Sequence, residues 1–126
     1  MKVINDVSNA PAAIGPYSQA VKTGNLLFCS GQIPVNPLSG KIEGATVEEQ
    51  TLQIFANIRA LLASQGAELS RVVKSTVFLK EMTDFPKINP LYEAAFAGHK
   101  PARSTVQVAG LPLGALIEIE VIAELE

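Results

Sequence analysis

The sequence predicts an α+β fold: one sheet with two helices laid over a single face. Two stretches repeat apolar residues at the three- and four-residue spacing of a helix, and several others alternate or cluster β-branched residues as strands do. With 126 residues there is room for one core, so residues 1–126 read as one domain.

Pro16–Thr23 alternates loosely, and Gly24-Asn25 then leads into Leu26–Ser30, which reads as a β-hairpin with a II′-type turn. From Gly31 to Gly44 the chain carries Pro34, Pro37 and Gly40 among polar residues, a surface loop that regular helix cannot accommodate. Thr46-Val47-Glu48-Glu49 fits a capping box and starts a helix. Val47, Thr51, Ile54, Phe55, Ile58, Leu61 and Leu62 form its apolar stripe, and Gly66 falls where a left-handed cap would end it.

Arg71–Lys80 is rich in β-branched residues, with Phe78 and Leu79, and reads as a largely buried strand. After Thr83-Asp84 a second helical stripe runs through Phe85, Ile88, Tyr92, Ala95 and Phe96; Pro86 and Pro90 fit only in its first turn or at a break. Arg103–Val108 then alternates, with Ser104, Val106 and Val108 on one face and Arg103, Thr105 and Gln107 on the other. In the last strand, Leu116–Leu125, Ile117, Ile119, Val121, Ala123 and Leu125 oppose Glu118, Glu120, Ile122 and Glu124. The sheet face away from the helices is expected to hold Phe78 and Ile122 beside Arg103 and the glutamates, a mixed surface of the kind that meets another subunit.

Composition narrows the function. Forty-eight per cent hydrophobic and 17% charged residues are globular values, and a net charge of −2 has the wrong sign for a protein that finds nucleic acid through phosphate. No apolar run approaches the ~18 residues of a membrane span, and Met1–Asp6 turns polar too early for a signal-peptide core, so a reducing cytoplasm is the expected compartment. A single cysteine, Cys29, and a single histidine, His99, leave no intrachain disulfide, zinc cluster or His pair.

Cys29, inside an apolar run, reads as a packing thiol, and His99, between Gly98 and Lys100, as a solvated loop residue. Ser30-Gly31 is ordinary turn chemistry without a G-x-S-x-G elbow. Arg103 is the unusual residue, because a guanidinium fixed on an otherwise uncharged strand needs an anionic partner. Two readings stand: a salt bridge to Glu118 or Glu120, the commoner fate of such a residue, or capture of a ligand carboxylate. Glutamates spaced by two along a single strand are poor metal geometry, and no metal site is expected.

Ser30, Gly31, Arg103, Glu118 and Glu120 fall within a set of four stretches: Asn9–Gln19 (NAPAAIGPYSQ), Ser30-Gly31-Gln32-Ile33-Pro34, Pro101-Ala102-Arg103-Ser104 and Ile117–Ala123 (IEIEVIA). Together, in this order over nearly the whole chain, they resemble the RidA family, also called YjgF or L-PSP. The resemblance implies a chorismate-mutase-like (YjgF-like) mixed sheet with two helices on one face, assembled as a homotrimer with clefts between subunits. It also implies an enamine/imine deaminase that hydrolyses 2-aminoacrylate and related 2-imino acids to 2-keto acids and ammonia without a cofactor. By the same resemblance Arg103 would clamp the substrate carboxylate and Glu118 would position or activate water, while Tyr17, Ser30, Gly31, Asn89 and the main chain at Thr105 would bind substrate.

The chain departs from that pattern at Thr105, where many relatives carry Cys, and at Gly110, where many carry Arg, so substrate preference is expected to differ. Two other classes remain: a non-catalytic protein that binds keto or amino acids, which needs Arg103 but not Glu118, and an endoribonuclease or translation inhibitor. The second is disfavoured by the acidic balance and the lack of a His pair.

Overall fold

The computed structural model describes residues 1–126. The chain runs through β1 (Lys2–Ile4), β2 (Ala20–Thr23), β3 (Leu26–Cys29), β4 (Val35–Asn36), β5 (Lys41–Ile42), α1 (Val47–Ser64), β6 (Val72–Leu79), α2 (Phe85–Phe96), β7 (Ala102–Gln107) and β8 (Ile117–Glu124). Six strands form one sheet in the order β1-β2-β3-β8-β6-β7, and β4 and β5 form a separate two-stranded pair.

Local chemistry sets the elements. β2 and β3 pair antiparallel around Gly24, whose φ of 58° meets the demand of a II′ turn for a positive angle at its first central residue. Helix α1 opens with the capping box: the Thr46 hydroxyl accepts from the Glu49 N–H at 3.1 Å and the Glu49 carboxylate accepts from the Thr46 N–H at 3.1 Å. It closes in a Schellman motif, in which the Gly66 N–H donates to the Ala63 carbonyl and the Ala67 N–H to that of Leu62. Only Gly66, at φ 71°, makes that reversal without a Cβ penalty.

Every residue of the predicted α1 stripe is buried, and the core they share with Val77, Leu79, Ile88, Ile117, Ile119 and Val121 lies between the helices and one face of the sheet. Phe55 of α1 meets Tyr92 and Phe96 of α2 edge-on at 5.9 and 5.7 Å. Each such fully buried side chain contributes roughly 1.5–3 kcal/mol by leaving water. The polar residues Gln50 and Asn57 are buried in α1 as well. Asn57 donates to the Val35 carbonyl at 2.9 Å and Gln50 accepts from the Leu116 N–H at 2.8 Å, so the helix holds the 31–44 loop and the entry to β8 by side-chain bonds.

Several expectations are corrected. Strand β1 carries too few residues to show a period, and the 31–44 loop contains the β4–β5 pair. Residues 16–19 lie outside β2, because Gln19 turns its side chain inward and bonds the preceding loop instead. Pro90 sits inside α2, while Pro86 falls in the first turn. His99 is half-buried and its Nε2 donates to the Val72 carbonyl at 2.6 Å, which ties the loop after α2 to the start of β6.

The largest correction concerns Arg103. Strand β7 runs parallel to β6, joined through α2, and the register places Arg103 opposite Ser75, whose hydroxyl lies 2.5 Å from that of Tyr92 in α2. Arg103 therefore stands on the helix side, not among the glutamates. The far face carries Phe28, Phe78, Val106 and Ile122 with Lys74, Glu118 and Glu120; Phe28 and Val106 are each 41% exposed.

Candidate active site

The expected site residues fall into two groups. The first is built where α2 packs along the edge strand β7. Arg103 Nη1 donates to Asn89 Oδ1 at 2.8 Å, and the guanidinium carbon lies 5.0 Å from the Phe85 ring centre and 4.7 Å from that of Tyr92. Arginine has five N–H donors, so four remain without a protein acceptor. Two positions along β7, on the same face, Thr105 has a buried hydroxyl oxygen that makes no hydrogen bond. Gly110 lies beyond β7, and a Cβ there would meet open space.

The second group gathers where the chain leaves β3 and crosses β8. Gln32 and Ile119 exchange backbone hydrogen bonds of 2.8 and 3.1 Å, which presses Gly31 against Glu118. A Cβ at position 31 would overlap the Glu118 carboxylate as it stands, so glycine at this position is what lets the carboxylate lie there. Ser30 is fully engaged as a donor: its N–H bonds the Gln19 carbonyl at 3.0 Å and its hydroxyl the Ser18 carbonyl at 2.5 Å. What its side chain still offers a ligand is acceptor capacity. Tyr17, 53% exposed, joins Ser30 and Gly31 in the wall of a cleft of about 380 Å³ that is otherwise largely apolar, with Ile14, Ile33 and Leu113 among its lining.

Electrostatics single out Glu118. Burial, and secondarily the Glu120 charge beside it, push its carboxyl above the ordinary value. A carboxyl poised this way accepts a proton from water more readily than an ordinary surface glutamate. Burial pushes the Cys29 thiol up to about 12, so it remains a packing group. No three His, Cys, Asp or Glu side chains gather closely enough to share a metal ion.

One protomer does not bring the two groups together. Paired residues share a sheet face; Arg103 pairs with Ser75 and Glu118 with Phe78, three residues further along β6, so the two side chains point to opposite faces. The intrachain salt bridge from Arg103 to Glu118 or Glu120 is thereby excluded.

Gln19 and Gln32 are the contributors that the sequence hid. The Gln19 amide is almost fully buried, accepts from the Val7 N–H at 3.0 Å and donates to the Val7 and Pro11 carbonyls at 3.0 Å each, which fixes the loop behind Tyr17. Gln32 Nε2 donates to the Ser30 carbonyl at 3.2 Å. A glutamine beside a Ser or Ile carries no local signal of burial; only the NAPAAIGPYSQ and SGQIP motifs marked these positions.

This strand order, with both helices on one face, matches solved proteins of the YjgF/L-PSP architecture. A crystal structure from Thermotoga maritima superposes with a TM-score of 0.95 at 48% identity, covering 100% of this chain and 99% of that one. The Escherichia coli TdcF structure, solved with bound serine, superposes with a TM-score of 0.93 at 41% identity, covering 99% and 100%. The chain belongs to the Endoribonuclease L-PSP family, whose model matches residues 7–125. Among its relatives, the 2-iminobutanoate/2-iminopropanoate deaminase of Escherichia coli K12 is 49% identical over 91% of each chain.

Proposed function

We propose that the protein is a cofactor-independent enamine/imine deaminase that hydrolyses 2-aminoacrylate and related 2-imino acids to 2-keto acids and ammonia. It works as a homotrimer whose clefts lie between subunits. The observation that carries this reading is the pairing of an arginine with four free donors and a carboxyl raised by burial, on opposite faces of one sheet and so available to each other only between copies. The relative named as an iminobutanoate/iminopropanoate deaminase supports the substrate class.

The chemistry asks little of the protein, since the imine carbon is already electrophilic. Arg103 binds the substrate carboxylate through a bidentate pair, and the Thr105 main chain orients it. Glu118 takes a proton from water as the oxygen adds to the C=N carbon and passes it to the imine nitrogen, giving a carbinolamine. It then takes the hydroxyl proton and passes it to nitrogen as the carbonyl forms, the C–N bond breaks and ammonia leaves. Ser30 accepts from the imine N–H, Gly31 lets the carboxylate approach, and Tyr17 walls the cleft. Asn89 holds one side of the guanidinium.

No helix is long and apolar enough to cross a membrane, and we assign the cytoplasm, where a buried, unpaired Cys29 stays reduced. An endoribonuclease would need acid and base groups that the single His99, bonded to the Val72 carbonyl, does not supply.

A binding-only role has one observation in its favour, the serine held by TdcF. Glu118→Gln separates the two. Imines generated in situ from amino acids are mixed with protein and keto acid is followed: the deaminase reading expects a loss of at least about a hundredfold with pyruvate binding retained. Unchanged turnover would remove Glu118 from the mechanism, and no acceleration by the unsubstituted protein would leave the binding role.

A further inference from the structure

Arg103 lies on an exposed edge strand and makes no ion pair within its chain, yet it is not a free side chain. Phe85, Asn89 and Tyr92 follow one another at four and three residues along α2, a single helical stripe, and all three meet the guanidinium. The stripe is itself anchored. The Tyr92 hydroxyl lies 2.5 Å from that of Ser75, the strand partner of Arg103, and its ring packs on Phe96 at 4.7 Å and on Phe55 at 5.9 Å.

We propose that Phe85 and Tyr92 are positioning residues that hold the Arg103 guanidinium over their rings in the orientation in which it receives a carboxylate. The inference rests on Arg103 being the carboxylate clamp of the proposed reaction. Neither ring needs to touch substrate. A ring face attracts a cation through its quadrupole and competes for none of the N–H donors that a carboxylate would use, whereas a protein carboxylate in the same place would occupy them. An arginine loses much rotamer freedom when it is ordered, and the rings and Asn89 impose that loss before the ligand arrives. Binding should therefore weaken when a ring is removed, while the chemical step, carried by Glu118, should not slow.

The test uses the full-length protein and pyruvate as probe, with binding measured by calorimetry and KM and kcat measured on imines generated in situ. Phe85→Leu keeps an apolar side chain against the core and removes the ring; it should weaken pyruvate binding and raise KM about tenfold while kcat stays within about twofold. Phe85→Trp should restore binding. Trifluorophenylalanine at position 85 keeps the shape of the ring but drains its quadrupole, so it should weaken binding without lowering the melting temperature. Pyruvate binding unaffected by Phe85→Leu or by the fluorinated ring would overturn the proposal, as would a fall in kcat at constant KM. Arg103→Ala separates this failure from that of the functional reading, because undiminished pyruvate binding in that variant would show that Arg103 is not the clamp at all.

Discussion

Arg103 and Glu118 stand on opposite faces of the same sheet, separated by the parity of β6: Ser75 marks the face of the first and Phe78 that of the second. A strand turns successive side chains to opposite sides, so no rotamer change brings the two together within one chain. If both act on one substrate, two copies must supply them. The uncovered far face, with Phe28 and Val106 each 41% exposed beside Glu118 and Glu120, is the surface such a second copy would cover.

Gly31→Ala tests the contact beneath the carboxylate. The added Cβ would overlap the Glu118 carboxyl group, the free end of a flexible side chain, so the fold should survive while the carboxylate moves. We expect kcat to fall at least about tenfold, as displacement of a catalytic group by about an ångström commonly costs that or more. Full activity in a folded Gly31→Ala protein would detach Glu118 from the reaction.

If Glu118 is the base of the proposed reaction, its raised carboxyl should set the pH dependence. A base works once deprotonated, so the acid limb of kcat/KM should bend above the usual glutamate value of about 4.3. Glu120→Gln removes one of the two causes and should move that bend to lower pH; an unmoved bend would assign it to another group.

Stability follows with the opposite preference. A carboxyl whose pKa is higher folded than unfolded favours the folded state while protonated, and that contribution is lost as pH rises through the folded value. Glu118→Gln, permanently neutral, should therefore raise the melting temperature at pH 7, and the difference should vanish near about pH 4. A variant equally or less stable than the parent at pH 7 would contradict the direction of the shift.

Cys29 should be silent. With its thiol pushed up to about 12, only about one molecule in ten thousand is a thiolate at pH 8. A thiol reagent should label the native protein over hours at most, and the denatured protein within minutes; rapid stoichiometric labelling of the native form would show the thiol to be accessible.

Thr46→Ala removes one half of the capping box at the start of α1. The melting temperature should fall by about 3–5 °C with kcat unchanged, since the cap touches neither site group. No change would mean that the Thr46 bonds add nothing beyond what water supplies.

Much of this arrangement is legible in the residues. The capping box, the stripe from Val47 to Leu62 and the alternation from Ile117 to Leu125 are local patterns, and each became the element expected. The face on which Arg103 stands was not legible. Alternation says that Arg103, Thr105 and Gln107 share a side, but which side the helices cover depends on the parallel pairing of β7 with β6, a long-range choice that no local period records. The same gap hid the aromatic cradle, whose members read as core stripe residues, and the inward turn of Gln19. The motifs named Arg103, Glu118, Tyr17, Ser30 and Gly31, and the family resemblance added Asn89, whereas their division between two faces came only with the register.

The shared site is tested most directly by mixing two inactive variants. Arg103→Ala and Glu118→Gln are each expected to lose activity, and are unfolded, combined in equal amounts and refolded together. If each site takes Arg103 from one subunit and Glu118 from its neighbour, about a quarter of the unsubstituted rate should return, the chance that a random neighbouring pair supplies both intact residues. A mixture as inactive as its two components would contradict a site shared between subunits.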